Sequence, residues 1–186
     1  MIFRLVPLLL TALLISGCLS RPPAPTSLQG LTHWQAEGKI GLRSASGGGN
    51  FLFVWRQDGE RYRLALSGPL GVGRSELDVG PNGVVLHHAE LGELTAASPE
   101  ALLEQTTGHR APVSLLAHWI KAEAASPAAT LLRSDEGVLL HIKEEGWTAE
   151  FAEWQPGSSR LPRRILITGP DTRLTVFISG WQTPRP

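Results

Sequence analysis

Side chains able to do chemistry are few in this chain, and their spacing brings none of them together. His87 and His88 are adjacent in an alternating run, so their rings point to opposite faces of a strand and cannot share a metal ion. His33, His109, His118 and His141 fall on separate segments. Asp135-Glu136 and Glu144-Glu145 stand in turn-like contexts and read as solvated charges. Nothing resembles a nucleophile elbow, a zinc-protease helix or a redox cysteine pair. Gly47-Gly48-Gly49 is not followed by a lysine and a helix start, so it is no phosphate cradle. No two carboxylates are placed to converge on a glycosidic bond. The expectation is a protein with no catalytic and no metal-ligating residue. Two features remain: the single cysteine, Cys18, and six tryptophans against one tyrosine and one methionine.

Cys18 explains itself through its neighbours. Arg4 precedes an apolar run from Leu5 to Ile15. A helix that crosses a bilayer needs about 20 residues, so this run fits the core of a secretory signal instead. The run ends in Leu14-Ile15-Ser16-Gly17-Cys18, which resembles a bacterial lipobox. That resemblance implies a cleaved signal peptide over residues 1–17 and a lipidated N-terminus at Cys18. It implies N-acyl and S-diacylglycerol groups on Cys18, and no other cofactor. A lone cysteine in a secreted chain has no internal disulfide partner, so lipidation gives it a role. Each buried CH2 contributes about 0.8 kcal/mol, and two or more chains anchor firmly. Leu19, rather than an aspartate, follows the cysteine and points to the outer membrane.

Residues 18–30, rich in proline, read as a flexible tether. Residues 31–186 then form one domain facing the periplasm. The whole chain has 17 basic and 17 acidic residues, so no basic field exists to hold nucleic acid.

The body alternates. Trp34, Ala36, Gly38, Ile40 and Leu42 share one face. Phe51, Phe53 and Trp55 share another, followed by Asp58-Gly59, the dipeptide of a tight type I′ turn. Tyr62, Leu64 and Leu66 continue the pattern, as do Leu77 and Val79, and then Val84 and Leu86. Gly47–Gly49 is expected to be a loop. Ser98-Pro99-Glu100 opens a helix that Gly108 ends, and Pro112 opens a second through Trp119. Strand patterns resume from Thr130 to Trp181. The count is about ten or eleven strands, with helices midway in the order, which disfavours a parallel βαβ architecture. A long antiparallel sheet curls, and short apolar helices must lie over its concave side. The fold class is therefore mainly β with α, either solid inside or hollow. Tryptophan rings suit packing, and they equally suit the walls of a cavity for acyl chains.

Several segments together resemble the LolB family of outer-membrane lipoprotein receptors: "WQAEGKIGLR" (34–43), "FVWRQDGERYRLALSGPLGVG" (53–73), "TGHRAPVSLLAHWI" (107–120), "GWTAEFAEW" (146–154), "LPRRILI" (161–167) and "LTVFISGW" (174–181). The family often places glycine and proline soon after the tryptophan that ends the second helix. Here Trp119 is followed by Ile120-Lys121-Ala122-Glu123, and the exit of that helix is left open.

The resemblance implies an open, incomplete antiparallel barrel with a hydrophobic cavity. It implies a receptor that accepts lipoproteins from a LolA-like periplasmic carrier, binds their acyl chains and inserts them into the inner leaflet of the outer membrane. No nucleotide is hydrolysed, and a monomer suffices. It further implies that the loop Gly68, Pro69, Leu70 and Gly71 protrudes, with Leu70 meeting the membrane. Assigned by strand face, the candidate cavity residues are Trp34, Ile40, Phe53, Trp55, Leu64, Leu66, Leu116 and Trp119. The alternative is an envelope lipoprotein with a solid core, acting as a scaffold or sensor.

Overall fold

The computed structural model describes residues 28, 31–45, 47–71, 73–158 and 160–183, with the Leu70 side chain outside the description. Cys18 lies outside the described residues, as does most of the segment read as a tether.

Eleven strands form one antiparallel sheet. The first six are β1 (His33–Ser44), β2 (Gly47–Asp58), β3 (Arg61–Ser67), β4 (Ser75–Gly80), β5 (Gly83–His88) and β6 (Gly92–Ala96). Helices α1 (Pro99–Thr107) and α2 (Val113–Trp119) follow. The rest are β7 (Thr130–Arg133), β8 (Leu139–Glu144), β9 (Trp147–Trp154), β10 (Pro162–Thr168) and β11 (Thr172–Gln182). The order across the sheet is β6-β5-β4-β3-β2-β1-β11-β10-β9-β8-β7. Two meanders are thus joined by pairing of β1 with β11, and among the described residues β6 and β7 are the edges of the sheet. The helical segment connects those two edges, so it must cross the open side of the barrel-like sheet. Among the described residues, all strand partners lie within 33–182.

Alternation decides which face is inside. On β11, Leu174, Val176 and Ile178 are buried between exposed Arg173, Thr175 and Ser179. A bulge between Glu37 and Gly38 shifts the β1–β11 register, and a methyl on Gly38 would collide with the Phe177 carbonyl oxygen. Leu28, inside the segment read as a tether, is 2% exposed and belongs to the core.

Two local expectations are corrected. Gly47–Gly49 is strand, paired as Ser44↔Gly47, Arg43↔Gly48 and Leu42↔Gly49. A side chain on Gly48 would strike the Leu42 carbonyl, so these glycines permit close approach of two backbones. At the next hairpin Asp58 pairs with Arg61, and the loop is Gly59-Glu60. The positive φ falls on Gly59 alone (60°), the pattern of a II′ turn rather than I′.

The helices follow their signals. Ser98 Oγ caps the Ala101 N–H at 3.1 Å, Pro99 occupies the first turn, and Gly108 ends α1 with φ 70°. α2 starts on Pro112, which offers no side-chain cap. Glu100 supplies one from α1: its Oε1 accepts the Ser114 N–H at 2.7 Å, and its Oε2 accepts the Ser114 hydroxyl at 3.1 Å. α2 leaves through a Schellman pattern. The Glu123 N–H reaches the His118 carbonyl, the Ala122 N–H reaches that of Trp119, and Ala122 takes φ 60°. The position that favours glycine is therefore held by alanine.

Candidate functional site

Between the inner face of the first meander and the two helices lies an apolar cavity of about 370 Å³. Its strand walls are Ile40, Leu42, Phe51, Leu64, Leu66, Leu77, Leu86 and Leu174. The helical side supplies Pro99, Leu103, Ala111, Val113 and Leu116. Gly48, Gly73, Ser75, His88, Thr106, Thr107, His109 and Pro112 complete the lining.

Leu42 faces Gly49, over which the Phe51 ring lies, and Leu66 stands between Phe53 and Ser75. Toward the Asp58–Arg61 turn aromatic rings fill the interior, with Trp55 and Trp181 each paired across strands to Ala36. Trp34 stacks on Trp55 with centroids 6.2 Å apart, Trp55 on Tyr62 at 4.5 Å, and Trp181 tilts against Trp34 at 5.6 Å. Burial, with Glu100 nearby adding to it, pushes the Tyr62 phenol up, so that ring stays neutral.

The structure therefore divides the eight residues assigned by strand face. Ile40, Leu64, Leu66 and Leu116 are brought together on the cavity wall. Trp34, Phe53, Trp55 and Trp119 are not; they are buried in packed regions. Wide rings satisfy one another by stacking, and a void next to them would forfeit dispersion contacts. Trp119 is also held by a carboxylate: its Nε1 donates to Glu144 Oε2 at 3.3 Å, and the Ala125 N–H donates to the same oxygen at 3.1 Å. Burial raises the Glu144 pKa, but hydrogen bonds from the Ser126 hydroxyl, the Ala125 N–H, the Trp119 indole and the Ser126 N–H outweigh it and hold the group below its usual value. One end of α2 is thus pinned to β8, while Val113 and Leu116 face the cavity.

Residues missed by sequence reasoning are Leu42, Phe51, Leu77, Leu86, Leu103, Val113, Leu174 and His88. Parity already put the strand leucines and Phe51 inside. Cross-strand pairing carries no signal of the void, since Ile40 faces Phe51 and Leu64 faces Leu77.

The turn Pro69–Gly71 lies between Leu66 and Gly73, both lining residues, so it stands at the rim. The Gly71 N–H closes onto the Gly68 carbonyl at 3.0 Å, with Gly71 at φ 80°. Gly68 is buried, whereas Pro69 and Gly71 are exposed. The side chain of Leu70 lies outside the description. Among the described residues no group of three or more metal-ligating side chains converges.

Fold and site define a class: an open antiparallel half-barrel with an internal apolar pocket roofed by helices, within the size range of about 300–1,000 Å³ found for ligand sites. The chain matches the family model described as "Outer membrane lipoprotein LolB" over residues 32–181. A protein of Chromohalobacter salexigens named outer-membrane lipoprotein LolB is 34% identical over 184 residues, covering 91% of this chain and 86% of that one. Proteins of the same name from Pseudomonas fluorescens (37% over 156 residues; 83% of this chain, 76% of that one) and Pseudomonas putida (35% over 157; 83% and 77%) are also similar. The chain belongs to the LolB family of outer-membrane lipoproteins, a family of lipoprotein localisation.

Proposed function

We propose that this protein takes lipoproteins from a LolA-like periplasmic carrier, holds their acyl chains in the apolar cavity, and passes them to the inner leaflet of the outer membrane. The observation that carries this reading is the cavity itself: a leucine-walled space under two short helices. Each CH2 moved out of water contributes about 0.8 kcal/mol, so a long chain is held without any nucleotide. Transfer runs downhill, from carrier to receptor to bilayer. A scaffold with a solid core would have no use for such a space.

The lipid on Cys18 keeps the receptor at its membrane, and the rim turn meets the bilayer through Leu70. One leucine in lipid is worth about 1.5–3 kcal/mol, enough to orient a tethered domain and too little to anchor it. Leu70→Glu is expected to accept cargo normally and to fail in depositing it. Equal loss of both steps would place the turn at the cargo or carrier site instead.

The test of the whole reading mixes residues 19–186 with carrier loaded with a labelled lipoprotein. Movement of label onto the folded domain is the expected result. Retention on the carrier would overturn the receptor reading.

A further inference from the structure

The cavity rim carries polar groups, and they are not equivalent. The Thr106 hydroxyl donates to the Leu102 carbonyl at 2.8 Å, and the Thr107 hydroxyl to the Leu103 carbonyl at 2.7 Å. The Ser75 hydroxyl donates to the Gly73 carbonyl at 3.2 Å. His109 Nδ1 sits 3.0 Å from Ser44 Oγ. These groups are engaged within the protein.

His88 differs. Its Nδ1 accepts the backbone N–H groups of Glu90 and Leu91, at 3.1 and 3.2 Å, from the turn that follows β5. A ring nitrogen that accepts N–H bonds carries no proton, so the neutral imidazole keeps its hydrogen on Nε2. Two backbone bonds thus fix both the tautomer and the ring. Among the described residues nothing accepts from Nε2. His88 is half-buried and lines the cavity beside Ser75, its cross-strand partner.

We propose that His88 Nε2–H is a hydrogen-bond donor for the carbonyl oxygen at the head of a bound acyl chain. This inference rests on the acyl-accepting reading above. Leucine walls hold alkyl, ether and acyl tails alike. A fixed donor at the rim distinguishes among them, because an ester or amide carbonyl satisfies it and an ether oxygen does so poorly. The site is thereby an acyl site rather than a general hydrocarbon site.

The test uses residues 19–186 and two fluorescent glycerolipid probes of equal chain length, one a palmitoyl ester and one a hexadecyl ether. The ester is expected to bind about 2- to 12-fold tighter, the worth of one net hydrogen bond. His88→Asn keeps an acceptor for the turn's N–H groups and places nothing at the Nε2 position. It is expected to lose the ester preference, read as the ratio of ester to ether affinity within the same variant. Equal binding of both probes by the parent domain, a result independent of any variant, overturns the donor and leaves the cavity standing. Preference that survives in folded His88→Asn also overturns it. Binding of neither probe overturns this inference and the acyl reading together.

Discussion

The strands of the first meander build two different interiors along one continuous face. Toward the Asp58–Arg61 turn, Trp34 and Tyr62 stack on Trp55, and Trp181 tilts against Trp34. Toward the Pro69–Gly71 turn, Leu42, Leu64 and Leu66 line a cavity. Parity, hydrogen bonding and twist are shared by both ends. Stacked aromatic rings fill one end, and mostly aliphatic side chains line the other. The packed end supplies the stability that lets the other end stay unfilled, since an apolar void costs dispersion energy that must be offset elsewhere.

The largest expected effect comes from breaking the packed end. Trp55 is fully buried, and Trp55→Ala should cost about 3–5 kcal/mol in urea unfolding. Next is the pin on the roof. Glu144→Gln removes the charge that Trp119 and Ala125 bind and should cost about 1–3 kcal/mol, the usual penalty for weakening a buried charged hydrogen-bond set. The pH dependence has a definite sign. The folded pKa of Glu144 lies below its unfolded value, so its contribution is fully present above the ordinary carboxylate range and is lost as pH falls through the lowered value. Unfolding followed from neutral to acid pH should show this loss in the parent and less of it in Glu144→Gln. The exit of α2 offers a gain: Ala122→Gly should raise stability by about 1 kcal/mol, because alanine at φ 60° is strained. The smallest effect on stability belongs to the cavity. Leu66→Trp makes the open end resemble the packed one and should change stability by less than about 1 kcal/mol, since space for the ring exists, unlike the overpacking of a full core. The same variant should lose binding of an acyl probe. A cost as large as that of Trp55→Ala would erase the distinction between the two ends.

Much of this was legible from alternation. Trp34–Leu42 and Leu174–Ile178 announce strands with one dry face, and Ser98-Pro99 with Gly108 brackets α1. Pairing of β1 with β11 was not legible, because period two says which side faces in and not which strand lies alongside. The glycine triplet misled for a related reason: close backbone approach between β1 and β2 needs glycine as much as a loop does. The division of the interior was the hardest part. Trp55 and Leu66 obey the same parity, and what distinguishes them is the ring cluster that Trp55 joins with Trp34 and Tyr62, which only the assembled sheet brings together. Glu144 was read as a solvated charge. Its role depends on Trp119, 25 positions earlier, and no local pattern joins the two.

The central claim is that acyl chains occupy the leucine-walled end. The most direct measurement gives the carrier a lipoprotein whose acyl chain bears a photoactivatable group, lets it transfer to residues 19–186, and maps the crosslinked residues by mass spectrometry. The account predicts crosslinks to Leu64, Leu66, Leu116 and Leu174. Crosslinks concentrated instead on the exposed Leu131 and Leu132 of the edge strand β7 would contradict it.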